Sequence, residues 1–302
     1  MEIGERAEFL TRRNCIGCES PNLVALSSGL FSDPPLHDFL SNDPWGESPV
    51  PFLEGLRWQY VKCGDCNLAF HQKILSPVWN ARNFERWMTA EAMAEFGKTH
   101  ISQQDRFDRA AHFVKHALQL EYLTRNLRGG SRLRVLDFGC GNGDFIEMCS
   151  LFGFEALGVD RSAARRGSNR SVVFESIDEV KEPVHVITLF EVLEHLEEPR
   201  PILESLAALL VTGGLLVLET PDCTGVTAIE SPNDYAKIHP LQHINGFTPT
   251  TMRAFAERLG FRTVAKPVSH VTCDRKRVAK DEVKRVLSFA VPVRTQQYFV
   301  KL

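Results

Sequence analysis

The stretch Val135-Leu136-Asp137-Phe138-Gly139-Cys140-Gly141-Asn142-Gly143 decides the fold class of this 302-residue chain. Its first residues are typical of the end of a buried strand, and three glycines then follow at alternate positions. Glycine here lets the backbone turn sharply and approach a ligand without a Cβ atom in the way. Open α/β sheets bind ligands beyond the carboxyl ends of their strands, which is where this loop is expected to lie.

Short apolar runs alternate with helical patterns from Arg132 onward. The predicted strands are Leu133–Phe138, Ala156–Val159, Val172–Phe174, His185–Phe190, Gly214–Glu219, Arg262–Val268 and Gln297–Leu302. Helices are predicted between them, notably Pro201–Leu210 and Pro249–Leu259, and Thr248 is a suitable N-cap for the second. This alternation predicts an α/β fold with a doubly wound, seven-stranded, Rossmann-like sheet.

The chain divides by composition into three regions. Residues 1–90 are rich in Pro, Ser, Asp and aromatic residues, which indicates an irregular module with a thin core. Residues 91–129 are interpreted as a linker with an amphipathic helix over about 103–128, ended by Gly129-Gly130. The apolar positions of that helix are Phe107, Ala110, Val114, Ala117, Leu118 and Tyr122. Residues 130–302 form the predicted α/β domain.

Overall charge argues against a protein that wraps nucleic acid. The formal net charge is −3, which is too small and of the wrong sign for a broad positive surface. The composition, with 43% hydrophobic and 24% charged residues, indicates a globular chain. A basic run at 275–285 is interrupted by acids, so it is interpreted as a solvated surface helix. We find neither a signal-peptide pattern nor a stretch of about 18 apolar residues, so a soluble cytoplasmic protein without a membrane partner is expected.

A second acidic residue supports a nucleoside ligand at the loop. Asp160 follows the second predicted strand, where a carboxylate can accept hydrogen bonds from ribose hydroxyls. A dinucleotide site would need Gly-x-Gly-x-x-Gly or Ala, but the last position is Asp144, which would repel a pyrophosphate. A cationic sulfonium cofactor tolerates Asp137 and Asp144. The other alternative is a glycine turn that binds no ligand.

The Asp-x-Gly-x-Gly-x-Gly loop followed by Asp160 resembles that of the class I S-adenosylmethionine-dependent methyltransferases. The resemblance covers about 133–261 and includes Phe190-Glu191-Val192-Leu193-Glu194-His195 and Leu210-Val211-Thr212-Gly213-Gly214. It implies a methyltransferase sheet, in which Asp137 and the glycines border the methionine part of the cofactor and Asp160 binds ribose. The implied cofactor residues are Asp137, Gly139, Cys140, Gly141, Gly143, Asp160, Ser176, Ile177, Phe190 and Glu191.

Two Cys-x-x-Cys pairs near the N-terminus predict a structural zinc site. Cys15 and Cys18 form the first pair and Cys63 and Cys66 the second, and four thiolates suit one tetrahedral Zn²⁺. Disulfides are disfavoured in a reducing compartment, and a redox pair needs only one such motif. The spacing and the segment Cys63–Leu68 resemble the zinc-binding N-terminal domain of sugar C-methyltransferases. Those enzymes carry a further C-terminal domain, and we expect no counterpart of it here.

Histidines are the natural candidates for removing a proton from a methyl acceptor. They occur at His195 and in the segment His239–His243. In the sugar C-methyltransferases a Tyr-x-Glu-His stretch carries the base, and Pro240-Leu241-Gln242-His243 corresponds to it here. The resemblance therefore implies that His243 is the base, although the Tyr and Glu are replaced. The alternative is a histidine that only anchors a loop.

A second divalent ion is a further hypothesis. Glu191, Glu194 and His195 have the Glu-x-x-Glu-His spacing that resembles the metal site of small-RNA 2′-O-methyltransferases. In that family a later histidine followed by an aromatic residue and Thr completes the set, which His243, Phe247 and Thr248 match. The alternative is that Glu191 lines the cofactor while Glu194 and His195 only pack.

Three functions remain open from the sequence. The leading hypothesis is a methyltransferase whose partner is a small-molecule acceptor, a sugar or natural product methylated on oxygen, nitrogen or carbon. The second is an RNA methyltransferase, for which metal-assisted 2′-O-methylation is one mechanism. The net charge and the lack of interleaved basic and aromatic residues weigh against a nucleic-acid partner. The third is a non-catalytic scaffold that binds the cofactor. The sequence predicts no oligomeric state.

Overall fold

The structure is a computed structural model that describes residues 6–127, 132–162, 172–267, 275–276, 278–279, 282–283 and 295–302. The chain forms two compact units, each built from segments that are separate in sequence. The N-terminal unit comprises residues 1–101, 194–199 and 221–251, and the glycine-loop unit comprises 102–193, 200–220 and 252–302. Gly129-Gly130 and most of the basic run at 275–285 lie outside the described residues.

The described strands, in chain order, are as follows. They are β1 (Phe9–Thr11), β2 (Leu23–Leu30), β3 (Arg57–Cys63), β4 (Ala69–His71), β5 (Lys73–Leu75), β6 (Arg134–Phe138), β7 (Glu155–Val159), β8 (Val172–Phe174), β9 (Val184–Phe190), β10 (Leu210–Glu219), β11 (Asn245–Gly246), β12 (Phe261–Val264) and β13 (Gln297–Lys301).

The α-helices are named in the same way. They are α1 (Leu36–Asn42), α2 (Pro77–Arg82), α3 (Ala90–His100), α4 (Gln103–Thr124), α5 (Asp144–Leu151), α6 (Pro199–Leu209), α7 (Pro232–Lys237) and α8 (Pro249–Arg258). Short 3₁₀ turns occur at Val50–Phe52, Ile177–Glu179 and Leu193–His195, and a π-helical turn at Asn83–Trp87. Among the described helices, none combines the length and the apolar character that crossing a bilayer requires.

The glycine-loop unit contains a seven-stranded sheet with the order β12-β13-β10-β9-β6-β7-β8. The strands β10, β9, β6, β7 and β8 run parallel, and β13 is antiparallel to both of its neighbours. Central residues such as Leu136, Ile187 and Val217 are almost completely buried, as expected for strands covered on both faces. The predicted doubly wound, Rossmann-like α/β sheet is confirmed.

The strand bounds differ from the predicted ones mainly at two places. β10 begins at Leu210 rather than Gly214, because a register shift between Leu210 and Leu215 lets the strand pair with β9 earlier. β12 ends at Val264, and Val268, the predicted end, lies outside the described residues. Thr248 caps α8 as predicted, since its Oγ1 accepts a hydrogen bond of 3.2 Å from the N–H of Thr251.

The predicted amphipathic helix is α4, but its predicted apolar face was partly wrong. Ser102 and Asp105 form a capping box at its start. Phe107 and Tyr122 are 60% and 55% exposed, whereas His116 and Leu120 are buried. A pattern based on hydrophobicity alone misses a buried face that includes polar side chains with hydrogen-bond partners.

The N-terminal unit is more regular and better packed than predicted. An antiparallel sheet has the order β11-β4-β3-β2, and β1 pairs with β5. Its core is aromatic, with Tyr60, Trp79 and Trp87 at most 2% exposed. Tyr235 and other residues of segment 221–251 belong to the same hydrophobic cluster, which is why that segment groups with this unit. The expectation of an irregular module with a thin core was therefore wrong.

Candidate functional site

The glycine-rich loop follows β6 and adopts a backbone that only glycine takes without strain. Gly139, Gly141 and Gly143 have φ angles of +76°, +55° and +77°. A Cβ atom on Gly139 would lie 2.5 Å from a methyl group of Val192, so this position excludes any side chain. A Cβ atom on Gly141 would meet nothing within 4 Å. Gly141 therefore leaves open space beside the loop, as a bound ligand requires.

Asp160 ties the end of β7 to this loop. Its Oδ2 accepts a hydrogen bond of 2.9 Å from the N–H of Gly141, and its Oδ1 accepts one of 2.8 Å from the N–H of Ser162. A carboxylate offers about four lone-pair sites. Two backbone contacts thus orient the Asp160 carboxylate at the end of β7.

Asp137 is buried at the carboxyl end of β6. Thr188 Oγ1 donates a hydrogen bond of 2.6 Å to its Oδ1. Burial raises the pKa of this carboxyl group to about 7, and the Thr188 hydrogen bond opposes the shift. A cationic group nearby would favour the ionised form.

The other predicted cofactor residues surround the same edge of the sheet. Ser176 follows β8 and caps the turn at Ile177–Glu179. Phe190 ends β9, and its ring contacts that of Phe145 at 4.9 Å between centroids. Glu191 follows with φ +54°, and its N–H donates to the carbonyl of Glu219.

The Cys140 side chain, like that of Phe190, packs against the protein. Its Sγ would lie 2.5 Å from a Cβ atom on Gly158, so it occupies the space left by that glycine. Its backbone N–H donates to the carbonyl of Val159 at 3.2 Å.

The four N-terminal cysteines converge, and their geometry fits one zinc ion. Cys15 and Cys66 have sulfur atoms 3.5 Å apart, as do Cys18 and Cys63, and all four lie within 4.8 Å of one another. Tetrahedral Zn²⁺ with bonds of about 2.3 Å would separate its sulfur ligands by about 3.8 Å. The same distances are too long for disulfide bonds.

Backbone and side-chain contacts hold the two pairs in place. Asp65, inside the second pair, accepts hydrogen bonds from Ser20 at 2.5 Å and Asn22 at 2.9 Å. Burial opposes ionisation of Cys63, but the N–H groups of Cys66 and Asp65 lead the contacts that bring its pKa down to about 7. Burial raises the pKa of Cys15, and it raises the pKa of Cys66 to about 11, so the contacts favour the thiolate, the form that binds zinc, at Cys63 and not at these two.

His195 and His243 lie together in the N-terminal unit. Their ring centroids are 4.7 Å apart in an edge-to-face contact. His243 Nδ1–H donates to the carbonyl of Ala236 at 2.6 Å, so Nε2 carries the lone pair. Burial lowers the pKa of His243 to about 4, so the ring is neutral at neutral pH.

The hypothetical second metal set is brought together only in part. The ligand atoms of Glu194, His195 and His243 lie within 4.8 Å of one another. Glu191 is not a member of this group and belongs to the glycine-loop unit. A metal ion at this place stays a prediction.

His239 has a structural role in the N-terminal unit. Its Nδ1 accepts from the N–H of Leu241 at 3.1 Å, and its Nε2 lies 2.8 Å from the hydroxyl of Tyr235 and 3.1 Å from Asp43 Oδ2. Of the two histidines in the segment His239–His243, His243 is therefore the better candidate base.

Sequence reasoning missed a further group in the glycine-loop unit. His112, His116 and Glu219 have ligand atoms within 4.8 Å of one another. The spacing His112-x-x-x-His116 in a predicted helix was a usable signal, because residues four apart share one helical face. Glu219 had no such signal, since only the sheet topology brings it there.

These features define an α/β domain with a glycine-rich loop and two acidic side chains at the carboxyl edge of its sheet. The model of the family described as "Methyltransferase domain" matches residues 103–266, which is more than half of the chain. The chain belongs to this methyltransferase family. The resemblance of its α/β domain to S-adenosylmethionine-dependent methyltransferases is therefore confirmed.

Curated relatives match about a third of the chain. The ubiquinone biosynthesis O-methyltransferase of Alkalilimnicola ehrlichii is 29% identical over 117 residues, covering 34% of this chain and 47% of the relative. That of Pectobacterium atrosepticum is 30% identical over 117 residues, covering 34% and 48%. The chain thus spans about half the length of the curated relatives it matches.

Similar solved structures include two methyltransferases. The plantazolicin methyltransferase BamL is 15% identical with a TM-score of 0.49, covering 74% of this chain and 94% of that one. The magnesium protoporphyrin IX methyltransferase of Synechocystis PCC 6803 is 15% identical with a TM-score of 0.43, covering 74% and 98%.

Proposed function

We propose that this protein is an S-adenosylmethionine-dependent methyltransferase that acts on a small molecule. The observation that carries the proposal is the glycine loop of a methyltransferase-family domain, in which Gly141 leaves open space and Asp160 orients the loop. S-adenosylmethionine supplies an electrophilic methyl group on a sulfonium centre. Asp160 binds the ribose hydroxyls, and Asp137 with the glycines borders the methionine part.

Isothermal calorimetry with S-adenosylmethionine and S-adenosylhomocysteine tests this proposal directly. Saturable binding of both is expected, and absence of binding by the folded protein would overturn it. A screen for transfer of tritiated methyl groups then seeks the acceptor. It begins with hydroxylated compounds, because the curated relatives named above are O-methyltransferases. An RNA pool in the same screen tests the alternative acceptor class.

The four cysteines are proposed to hold a structural Zn²⁺. The convergence of four sulfur atoms supports this, together with the N–H contacts that lower the pKa of Cys63. Such an ion closes the segment between the two cysteine pairs and adds to the stability of the N-terminal unit.

His243 is proposed as the group that accepts the acceptor's proton, at its Nε2 atom. The hydrogen bond to Ala236 fixes the required tautomer, and the lowered pKa keeps the ring neutral. His195, in ring contact with His243, lines a cleft of the N-terminal unit together with Leu241 and Gln242. It is the second candidate for this role.

Substitution of His243 should show whether this residue acts as the base or only anchors a loop. His243→Asn can still donate a hydrogen bond to Ala236 but cannot take up a proton at neutral pH. If His243 is the base, turnover falls by about 10²- to 10⁴-fold while the affinity for S-adenosylhomocysteine is unchanged. The half-buried His37, replaced by alanine, is the control. Wild-type turnover in His243→Asn would reduce His243 to a structural role.

A further inference from the structure

We infer that His112, His116 and Glu219 form a binding site for a divalent first-row transition-metal ion in the glycine-loop unit. This site is separate from the four cysteines and from the Glu194–His195–His243 group, because it shares no residue with either. Two histidines and one carboxylate are a donor set that suits Zn²⁺, Fe²⁺ and Co²⁺.

The distances between the donor atoms have the size that such an ion requires. The Nε2 atoms of His112 and His116 are 3.0 Å apart. Glu219 Oε2 lies 3.2 Å from the first and 3.3 Å from the second. An ion with bonds of about 2.0–2.2 Å separates neighbouring ligand atoms by roughly 3.0–3.4 Å, in octahedral or tetrahedral geometry. The three atoms thus form a nearly regular triangle that matches one face of a coordination shell.

A chain of hydrogen bonds sets the tautomer of His116. Gln119 Nε2 donates to the carbonyl of Pro267 at 3.1 Å, which turns its Oε1 toward Tyr298. The Tyr298 hydroxyl donates to that Oε1, so its oxygen accepts from His116 Nδ1–H at 2.9 Å. His116 Nε2 therefore carries its lone pair toward the triangle. Metal-binding histidines are usually oriented in this way by a partner of the other ring nitrogen.

Gln296 closes the group on another side. Its amide nitrogen lies 2.7 Å from Glu219 Oε2 and 2.5 Å from His116 Nε2. These contacts satisfy the two acceptors in the metal-free protein, and rotation of the amide would present its oxygen as a further ligand. Gln296 thus allows the triangle to exist with and without an ion.

Exposure of the three ligands indicates an ion with open coordination positions. The side chains of His116, Glu219 and His112 are 1%, 21% and 39% exposed, so the group is open on the His112 side. Three protein ligands are typical of catalytic rather than structural sites. The carbonyl of Glu219 accepts from Glu191 N–H, and the ring of Phe190 lies 4.5 Å from that of His116. The site therefore lies at the carboxyl edge of the sheet, where ligands bind.

This position points to a role in holding the methyl acceptor, a part of the inference that rests on the proposed function. An oxygen or nitrogen atom of the methyl acceptor would fill an open coordination position of the ion, and its pKa would be lowered there. Acceptors with a hydroxyl or carboxylate that can ligate a metal are the expected class.

Cobalt binding tests the site without measuring activity. Metal-free protein without a histidine tag is titrated with Co²⁺, and the titration is followed by absorbance. Cobalt bound by the cysteines gives a thiolate charge-transfer band, whereas cobalt bound by His112, His116 and Glu219 does not. In the wild type we expect one equivalent of bound Co²⁺ that lacks the charge-transfer band. This equivalent should disappear in His112→Ala and in Glu219→Gln. It should persist in His195→Ala, the control at the other histidine group. Tyr298→Phe should weaken it roughly 10- to 100-fold.

The possible outcomes are distinct from those of the proposed function. The inference is overturned if the wild type shows no equivalent of this kind, or if His112→Ala and Glu219→Gln retain it in full while remaining folded by circular dichroism. Calorimetry with S-adenosylhomocysteine on the same samples reports cofactor binding separately. Cofactor binding without this cobalt equivalent contradicts only the metal site. The cobalt equivalent without cofactor binding contradicts only the proposed function.

Discussion

Cys63→Ser is expected to abolish binding of the proposed zinc ion and to destabilise the N-terminal unit by on the order of 5 kcal/mol. Isolated zinc fingers obtain about 10–16 kcal/mol from their metal because they have almost no other core. This unit has an aromatic core around Trp79 and Trp87, so the loss should be smaller and the unit should partly persist. Differential scanning calorimetry, with zinc measured by elemental analysis, gives both quantities.

Cys223→Ser is the matched control for this prediction. Cys223 is 5% exposed in the core of the same unit, and its sulfur lies near the carbonyls of Pro221 and Lys237. Its replacement carries the general cost of a buried Cys-to-Ser change, roughly 1–3 kcal/mol, without removing a zinc ligand. The control should keep one zinc equivalent. Equal zinc content in Cys63→Ser and the wild type would show that the cysteines hold no structural metal.

The conformation of the glycine-rich loop and its place after β6 could be predicted from sequence because the signal is local. Asp137, the glycines and Asp160 lie within two consecutive strands and the turns that follow them, and parallel pairing brings these turns to one edge. The convergence of two Cys-x-x-Cys pairs was predictable for a related reason. Each pair is a local turn, and the metal chemistry supplies the requirement that the pairs meet.

Features that depend on distant pairing were missed. In the N-terminal unit, Asn245 pairs with Phe70, a contact that no periodicity within either segment indicates. In the glycine-loop unit, Glu219 and Gln296 reach His116 only because β10 and β13 are adjacent in the sheet. A residue at a strand end is informative only after the strand order is known. This is why Glu219 and Gln296 were missed, whereas His112 and His116 had a usable local signal in their four-residue spacing.

Gly141→Ala is expected to lower the affinity for S-adenosylhomocysteine about 100-fold, which corresponds to roughly 2.7 kcal/mol. The added methyl group would enter the open space beside the loop, where the proposed cofactor lies against the backbone. The N–H of Gly141 also donates to Asp160, so a displaced residue 141 would disturb the carboxylate proposed to bind ribose. Calorimetric titration of the purified variant measures the loss.

Backbone strain alone must be separated from this effect, and Gly153→Ala provides the comparison. Gly153 has φ +84°, close to the left-handed conformation of Gly141, and a Cβ atom there also meets nothing within 4 Å. Both variants should therefore lose a similar stability, about 1–2 kcal/mol. They differ in that Gly153 lies after α5, away from the loop that follows β6. Equal stability loss with weakened binding only in Gly141→Ala is the expected result. Equal affinity in the two variants would mean that the space at Gly141 holds no ligand, and the assignment of the loop to the cofactor would fail.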